Sequence, residues 1–298
     1  MNITLAKHYG MCFGVRDALR TTHQVATTRP ITVLGQLVHN PEVDKLLSHL
    51  GAKRGDLDDL GSSTTPDVVI TAHGAADAQR AAWRSAGHQI TDTTCPLVRK
   101  AHDALALIVS EGYCPVVIGQ AQHAEVRGLT GDFSQATVIL SEADFCRIPE
   151  ASKIGIISQT TLPLEMALQL IDSLKRTRPK VEVRFIDTIC HPTKQRQTAL
   201  DELCRQNEVV VVIGGQNSNN SRQLAEKARS LGCTAIQIDK AADLQSDWFR
   251  GVRNVGVTAG TSTLDETVTA VMAELRRIAS ELSRNPYHEF LRLVSRVA

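Results

Sequence analysis

CPVVIGQAQHAE occupies residues 114–125 of a 298-residue chain. Five apolar residues, three of them β-branched, run up to a glycine, and polar residues then lead into a segment with helical spacing. A short apolar run ending in small or turn residues marks a parallel strand buried on both faces, with its loop at the C-terminal end. The figure recurs at ITVLG (31–35), DVVITA (67–72), KIGIIS (153–158), VEVRFID (181–187), EVVVVIGG (208–215) and NVGVTAG (254–260). Amphipathic segments lie between these runs, among them DALRTTHQVATT, LVRKAHDALALIVSEG, LEMALQLIDSLKRTR and SRQLAEKARSLG. Strand, loop and helix alternate along the chain, which predicts an α/β fold with mainly parallel sheets.

The same segment belongs to a repeat. CFGVR at 12, CPLVR at 95 and CHPTK at 190 each place Arg or Lys four residues after a cysteine, and the second and third are introduced alike by DTTC and DTIC. His39 follows Cys12 by 27 residues, His123 follows Cys95 by 28, and Ser218 follows Cys190 by 28. A second polar strand end comes later in each repeat: TAHG with His73, SQTT with Thr160, and TAGTS with Ser262. The cysteines are 83 and 95 residues apart, the size of a small α/β unit that is marginal alone. The expectation is three related modules, 13–95, 96–190 and 191–280, packed about a pseudo-threefold axis. An N-terminal strand within 1–12 and a tail at 281–298 would pack on them. Strand C-terminal ends would meet near the axis and bring Cys12, Cys95 and Cys190 together.

Thirty-three basic and 32 acidic residues nearly cancel, and a pI near 7.7 gives no global field that draws a protein onto nucleic acid or an anionic membrane. No run of 18 apolar residues occurs, and MNITLAKHYG lacks the zones of a signal peptide. A cytoplasmic protein with no nucleic-acid or membrane partner is expected. The seven cysteines are odd in number and widely spread, which argues against a disulfide framework. A single cysteine of this kind is more often a small packed hydrophobe than a ligand. Only the repeat separates Cys12, Cys95 and Cys190 from the other four.

No CxxC occurs, so a structural zinc ribbon is not indicated. Three thiolates from three modules instead suit a metal centre with one open position, and an all-sulfur donor set favours iron–sulfur over hydrolytic zinc. Such a cluster would sit at the centre of the modules. Each cysteine falls where a strand gives way to a helix, so the helix N-terminus should favour its thiolate, with Arg16, Arg99 and Lys194 offsetting negative charge. Three thiolates alone leave a three-iron and a four-iron form both open. The polar set His39, His73, His123, Gln159, Thr160, Thr161, Ser218, Asn220 and Ser262 makes a cradle for a phosphate or diphosphate. Glu125 adds a carboxyl that can relay protons if burial raises its pKa.

CFGVRDA, GQLVHNPEV, TAHG, DTTCPLV, HAEVRG, SQTTL, DTICHPTKQRQ, NSNNS and TAGTS, in this order over nearly the whole chain, resemble the 4-hydroxy-3-methylbut-2-enyl diphosphate reductase family. The resemblance implies an oxygen-sensitive four-iron four-sulfur cluster on Cys12, Cys95 and Cys190, with one iron lacking a cysteine ligand. It implies diphosphate binding by His39, His73, His123, Ser218, Asn220 and Ser262, with Glu125 as proton relay and Thr160 and His123 beside it in the catalytic set. The implied reaction is reductive dehydroxylation of an allylic diphosphate. Its hydroxyl binds the unique iron, two electrons enter, water leaves, and protonation of an allyl anion gives isopentenyl or dimethylallyl diphosphate. Electrons would come from ferredoxin or flavodoxin, since no glycine-rich dinucleotide fingerprint is present.

The chain departs from the family pattern twice. It carries Ser218-Asn219-Asn220 where many members have Ser-Ser-Asn, and Ser262-Thr263-Leu264 where serine, a small residue and proline are usual. Asn219 keeps a group able to bond phosphate and joins the binding set. Both departures bear on the diphosphate end, so two alternatives are carried: a related iron–sulfur enzyme for another small phosphorylated substrate, and a non-enzymatic iron–sulfur redox sensor.

Overall fold

The computed structural model of the chain describes residues 1–216 and 218–284. The chain opens with β1 (Asn2–Leu5) and α1 (Phe13–Ala26), followed by β2 (Ile31–Leu34), α2 (Pro41–His49), β3 (Lys53–Gly55), β4 (Asp67–Ile70), α3 (Asp77–Ser85) and β5 (Gln89–Asp92). Then come α4 (Pro96–Ser110), β6 (Cys114–Ile118), α5 (Ala124–Thr130), β7 (Thr137–Ile139), β8 (Lys153–Ser158), α6 (Leu164–Thr177) and β9 (Glu182–Phe185). The last run is α7 (His191–Cys204), β10 (Val209–Ile213), α8 (Asn219–Ser230), β11 (Thr234–Ile238), β12 (Asn254–Ala259) and α9 (Asp265–Arg284).

Three four-stranded sheets result, ordered β3-β2-β4-β5, β7-β6-β8-β9 and β11-β10-β12-β1, with every neighbouring pair parallel. The three orders are one topology, and β1 stands in the third sheet where β5 and β9 stand in the others. The expected N-terminal strand is therefore a full member of the third sheet, in register with Asn254–Val257 of β12, rather than a segment laid over finished modules. Two compact units follow from this: Cys12–Lys194 holds the first two sheets, and Met1–Met11 with the chain from Gln195 onward holds the third. Of the expected tail, residues 281–284 close α9, and the rest lies outside the described residues.

The two inner strands of each sheet are the runs read from the sequence. β2 and β4 are buried along their whole length, and Val209–Ile213 of β10 is 0–4% exposed. Burying each such Val or Ile contributes roughly 1.5–3 kcal/mol, so the inner strands carry most of the sheet stability. The polar residues at strand ends then cap helices. Asn40 accepts from the Glu42 amide at the start of α2, His123 does so for α5, and Ser218 for α8.

Within the Cys12–Lys194 unit, α5 is pressed against the start of α3. A Cβ at Gly131 would come within 2.7 Å of the Ala76 Cβ, so a side chain there would push the two apart. Asp132 accepts from the Asp77 and Ala78 amides at 2.6 and 2.9 Å, capping α3 from the neighbouring module, with His102 behind it at 3.0 Å. This clasp fixes the His123–Glu125 turn against the sheet that carries His73.

Candidate active site

The fourth strand of each sheet runs on to a cysteine, and each cysteine begins a helix. Cys12 and Cys95 are the N-cap residues of α1 and α4, and neither side chain spends itself on a capping bond. Cys190 immediately precedes α7, and its carbonyl accepts from the Thr193 and Lys194 amides. The amide of Cys95 bonds the carbonyl of Ala72 at 3.1 Å, beside His73, and that of Cys190 bonds the carbonyl of Thr160 at 2.9 Å. Main-chain pairing thus ties the Cys95 and Cys190 loops to the polar end of the adjacent strand.

The three thiols converge. Phe13 stacks on His191 with ring centroids 5.8 Å apart, which joins the neighbours of Cys12 and Cys190. Gly14 lies against Cys95 so closely that a Cβ there would overlap Sγ. Cys95 and Cys190 both feel the charge of Cys12 and of Glu125. All seven cysteines are free. The three sulfurs do not close to within 4.8 Å of one another, as the nitrogens of His39, His73 and His123 do. Three thiols without a histidine or carboxylate among them are a soft, all-sulfur donor set, which suits an iron–sulfur centre better than a hydrolytic zinc.

Burial pushes the Cys95 thiol up and that of Cys190 up to about 11, although Thr193 lowers the latter by hydrogen bonding. Burial therefore outweighs the helix N-terminus, contrary to the sequence expectation, and a metal centre must displace thiol protons when it binds. The basic residues also differ from expectation. Arg99 pairs with Asp92 at 2.8 Å and Lys194 pairs with Asp187, so these two basic groups are turned to the aspartate three residues before the cysteine. Asp92 further accepts from Arg80 Nε at 2.9 Å and from the Thr94 amide at 2.9 Å. Burial works against its charge, but these bonds hold its carboxyl below the ordinary range. The aspartates of DTTC and DTIC are thus anchors of the cysteine loops; their shared spacing was the signal for that role.

Glu125 sits in the first turn of α5 and is 2% exposed. Its Oε1 accepts from the Thr160 amide at 2.6 Å, and its Oε2 meets Thr160 Oγ1 at 2.9 Å. Burial drives its pKa up to about 7, with the Thr160 bonds pulling against that rise. Near neutrality it can both hold and release a proton. Gln159 beside it is fully buried, bonding the Gln120 amide at 3.1 Å and Thr161 Oγ1 at 3.2 Å.

His39, His73 and His123 come together from the loops after β2, β4 and β6. Their ring centroids are 4.3 Å apart for 39–73, 5.1 Å for 39–123 and 5.5 Å for 73–123. The Nε2 atoms of His39 and His123 are 3.3 Å apart, and His123 Nδ1 accepts from the Glu125 amide at 3.1 Å. Burial, then the charges of His39 and His123, hold the His73 pKa well below the ordinary histidine value. Gln36 and Asp44 join this cluster, and no feature of the sequence pointed to either.

The remaining polar set lies in the other unit. Ser218 Oγ accepts from Ser221 Oγ at 3.0 Å, and Asn220 Oδ1 accepts from the Thr261 amide at 3.1 Å, which brings the ends of β10 and β12 together beside Ser262. Ser218, Asn220 and Ser262 are 3, 4 and 7% exposed. Asn219 is also buried and accepts from Arg222 Nη2 of its own helix at 3.4 Å. Among the described residues, no helix is long and apolar enough to cross a membrane.

Three equivalent parallel sheets, a thiol triplet at helix starts, a histidine triangle and a buried carboxyl define a repeat-built α/β protein with the equipment of an oxidoreductase. The chain belongs to the LytB protein family, which matches residues 3–276. It is 36% identical over 283 residues to a 4-hydroxy-3-methylbut-2-enyl diphosphate reductase of Pelobacter propionicus, covering 93% of this chain and 99% of that one. With the enzyme of the same description from Aquifex aeolicus it shares 31% over 284 residues, covering 93% and 97%. Among solved structures it is similar to the E-1-hydroxy-2-methyl-but-2-enyl-4-diphosphate reductase of Plasmodium falciparum, with TM-score 0.85, 25% identity and coverage of 96% and 89%. It is also similar to an (E)-4-hydroxy-3-methyl-but-2-enyl diphosphate reductase described as the terminal enzyme of the non-mevalonate pathway, with TM-score 0.68, 31% identity and coverage of 93% and 100%.

Proposed function

We propose that the chain converts 4-hydroxy-3-methylbut-2-enyl diphosphate, two electrons and two protons into isopentenyl or dimethylallyl diphosphate and water. This is the last step of the methylerythritol phosphate route to isoprenoids. Cys12, Cys95 and Cys190 hold a four-iron four-sulfur cluster with one iron free of cysteine, which when bound supplies the electrons and a Lewis-acid position for the hydroxyl. His39, His73 and His123, with Ser218, Asn219, Asn220 and Ser262, hold the diphosphate, and anchoring that end orients the allylic end. Glu125 keeps a proton at Oε2, shared with Thr160 Oγ1, for the departing hydroxyl. Ferredoxin or flavodoxin delivers the electrons in the cytoplasm.

One observation carries the reading most. Glu125, with a pKa of about 7 and both oxygens on Thr160, acts by its charge on Cys95 and Cys190, so proton source and thiol site belong together. Relatives of this description matched over 90% or more of both chains do not favour another substrate or a redox sensor. The test is turnover of the allylic diphosphate by anaerobically purified protein with a reduced viologen dye, products identified by mass spectrometry. Formation of the two C5 diphosphates is expected; an intact cluster with no turnover would reject the reading.

A further inference from the structure

The three histidines form part of a hydrogen-bonded chain whose direction is fixed from both ends. At one end the Glu125 amide can only donate, so His123 Nδ1 accepts and the neutral ring carries its proton on Nε2. At the other end the Asp44 carboxylate accepts from Gln36 Nε2 at 2.8 Å, which leaves Gln36 Oε1 facing His39 Nδ1 at 3.4 Å. His39 then carries its proton on Nδ1 and presents a lone pair at Nε2. That lone pair meets His123 Nε2–H at 3.3 Å, a contact that satisfies both tautomers. The main-chain carbonyl of Gln36 also accepts from the His73 ring.

Every N–H of the neutral triangle is thereby committed. Two go to Gln36, through its side-chain and main-chain oxygens, and the third goes from one histidine to another. A diphosphate approaching this cluster would therefore compete with these internal bonds for each ring N–H, until a proton is added. A proton on His39 Nε2 ends its role as acceptor, makes its ring an imidazolium and frees His123 Nε2–H to bond the anion. A cavity of about 190 Å³ is lined by Gln36, His39 and His73. Its other charged groups are Arg54 on β3, Asp56 and Asp58 just after it, and Arg127 on α5, with Arg127 and Asp58 paired to each other. Asp44 bonds Gln36, and Glu125 follows His123 on α5.

We propose that Gln36, fixed by Asp44, is a positioning residue that keeps the free histidine triangle uncharged and internally bonded, so that diphosphate is bound together with one proton from solvent. The inference rests on the reading of these histidines as the diphosphate site. It adds a device that belongs to this chain's own Gln36 and Asp44.

The test is calorimetric titration of methyl diphosphate, which lacks the allylic hydroxyl, into the unreduced cluster-loaded enzyme in buffers of different ionisation enthalpy. Uptake approaching one proton per site is expected near pH 8, with affinity weakening up to about tenfold per pH unit above that. The terminal phosphate of such an ester, with a last pKa of about 6, no longer takes up protons there. Gln36→Leu frees His39 to place its own N–H on Nε2, so uptake should fall below half a proton and the pH slope of KM should flatten, with kcat kept. In Gln36→Glu with Asp44→Asn, the carboxylate faces His39 Nδ1–H and keeps that ring protonated, so affinity should hold to higher pH. Binding by wild type without proton exchange would overturn the proposal, as would wild-type uptake in Gln36→Leu. No binding at any pH would instead remove the diphosphate reading itself.

Discussion

Thr160 meets both oxygens of Glu125, its amide on Oε1 at 2.6 Å and its hydroxyl on Oε2 at 2.9 Å, with both residues buried. The amide can only donate, so Oε1 is always an acceptor. The hydroxyl can reverse, donating to the carboxylate or accepting from the acid. The proton of Glu125 therefore has one defined seat, at Oε2. Glu125→Gln keeps both contacts, since its amide group can accept from the Thr160 amide and donate to Oγ1. It is expected to retain iron and KM while kcat falls by about 100-fold or more, read from dye-coupled steady-state kinetics. Unchanged kcat would remove Glu125 from the chemistry.

Thr160→Val keeps the volume and the amide contact but removes the hydroxyl. One of the bonds that holds the Glu125 pKa down is lost, so it should rise above about 7 and the fall in activity at high pH should move upward. A drop in kcat of about tenfold is expected, with Thr160→Ser restoring it. A pH profile unchanged in Thr160→Val would contradict the shared-proton account.

The same carboxyl makes stability depend on pH. Folded, Glu125 keeps its proton up to about pH 7; unfolded, it loses it near 4.5. Between those values the folded state binds the extra proton, so stability is fully present below 4.5 and declines as pH rises through 7. The penalty above that is on the order of 3 kcal/mol. Iron-free Glu125→Gln should therefore unfold later in urea than iron-free wild type at high pH, and about equally at low pH. A gain that does not grow with pH would contradict the assignment.

A side chain at Gly14 would occupy space held by Cys95 Sγ. Gly14→Ala should fold but retain less than about half of wild-type iron, because its Cβ displaces a thiol rather than packing in a void. Circular dichroism with iron analysis separates the two outcomes. Full iron retention would mean that the two loops do not meet at the centre.

Much of this was legible in the sequence, and the gaps have physical causes. The runs VVI (68–70), PVVI (115–118) and VVVVI (209–213) are buried on both faces and apolar throughout, which made the inner strands plain. KRG, QITD, TVI and TAIQI form β3, β5, β7 and β11, which border only one strand or are partly exposed, so their polar residues hid them. For the same reason β1 did not declare itself as the counterpart of β5 and β9. The repeat of Cys12, Cys95 and Cys190 could be seen because sulfur at a helix start leaves few substitutes. The pairing of Arg99 with Asp92 and of Gln36 with Asp44 could not, because such contacts depend on where loops fold back.

Asp92 shows what those hidden contacts are worth. It is shared by the buried Arg80 and by Arg99, so Asp92→Asn leaves the Arg80 guanidinium short of a counter-charge. A loss of about 2 kcal/mol is expected, seen as a lower urea midpoint with an unchanged slope. No change in midpoint would mean that Asp77 and the Ala75 carbonyl suffice to hold Arg80.

The central claim is that Cys12, Cys95 and Cys190 form one redox centre beside the allylic end of a bound diphosphate. Its most direct test is the anaerobic absorption spectrum of the purified chain, with iron and sulfide counts, before and after adding 4-hydroxy-3-methylbut-2-enyl diphosphate. The account requires a brown chromophore that changes on substrate addition, is lost in serine variants of any of these three cysteines, and survives in serine variants of Cys114, Cys146, Cys204 and Cys233. A chromophore indifferent to substrate, or one lost equally in both groups of variants, would contradict it.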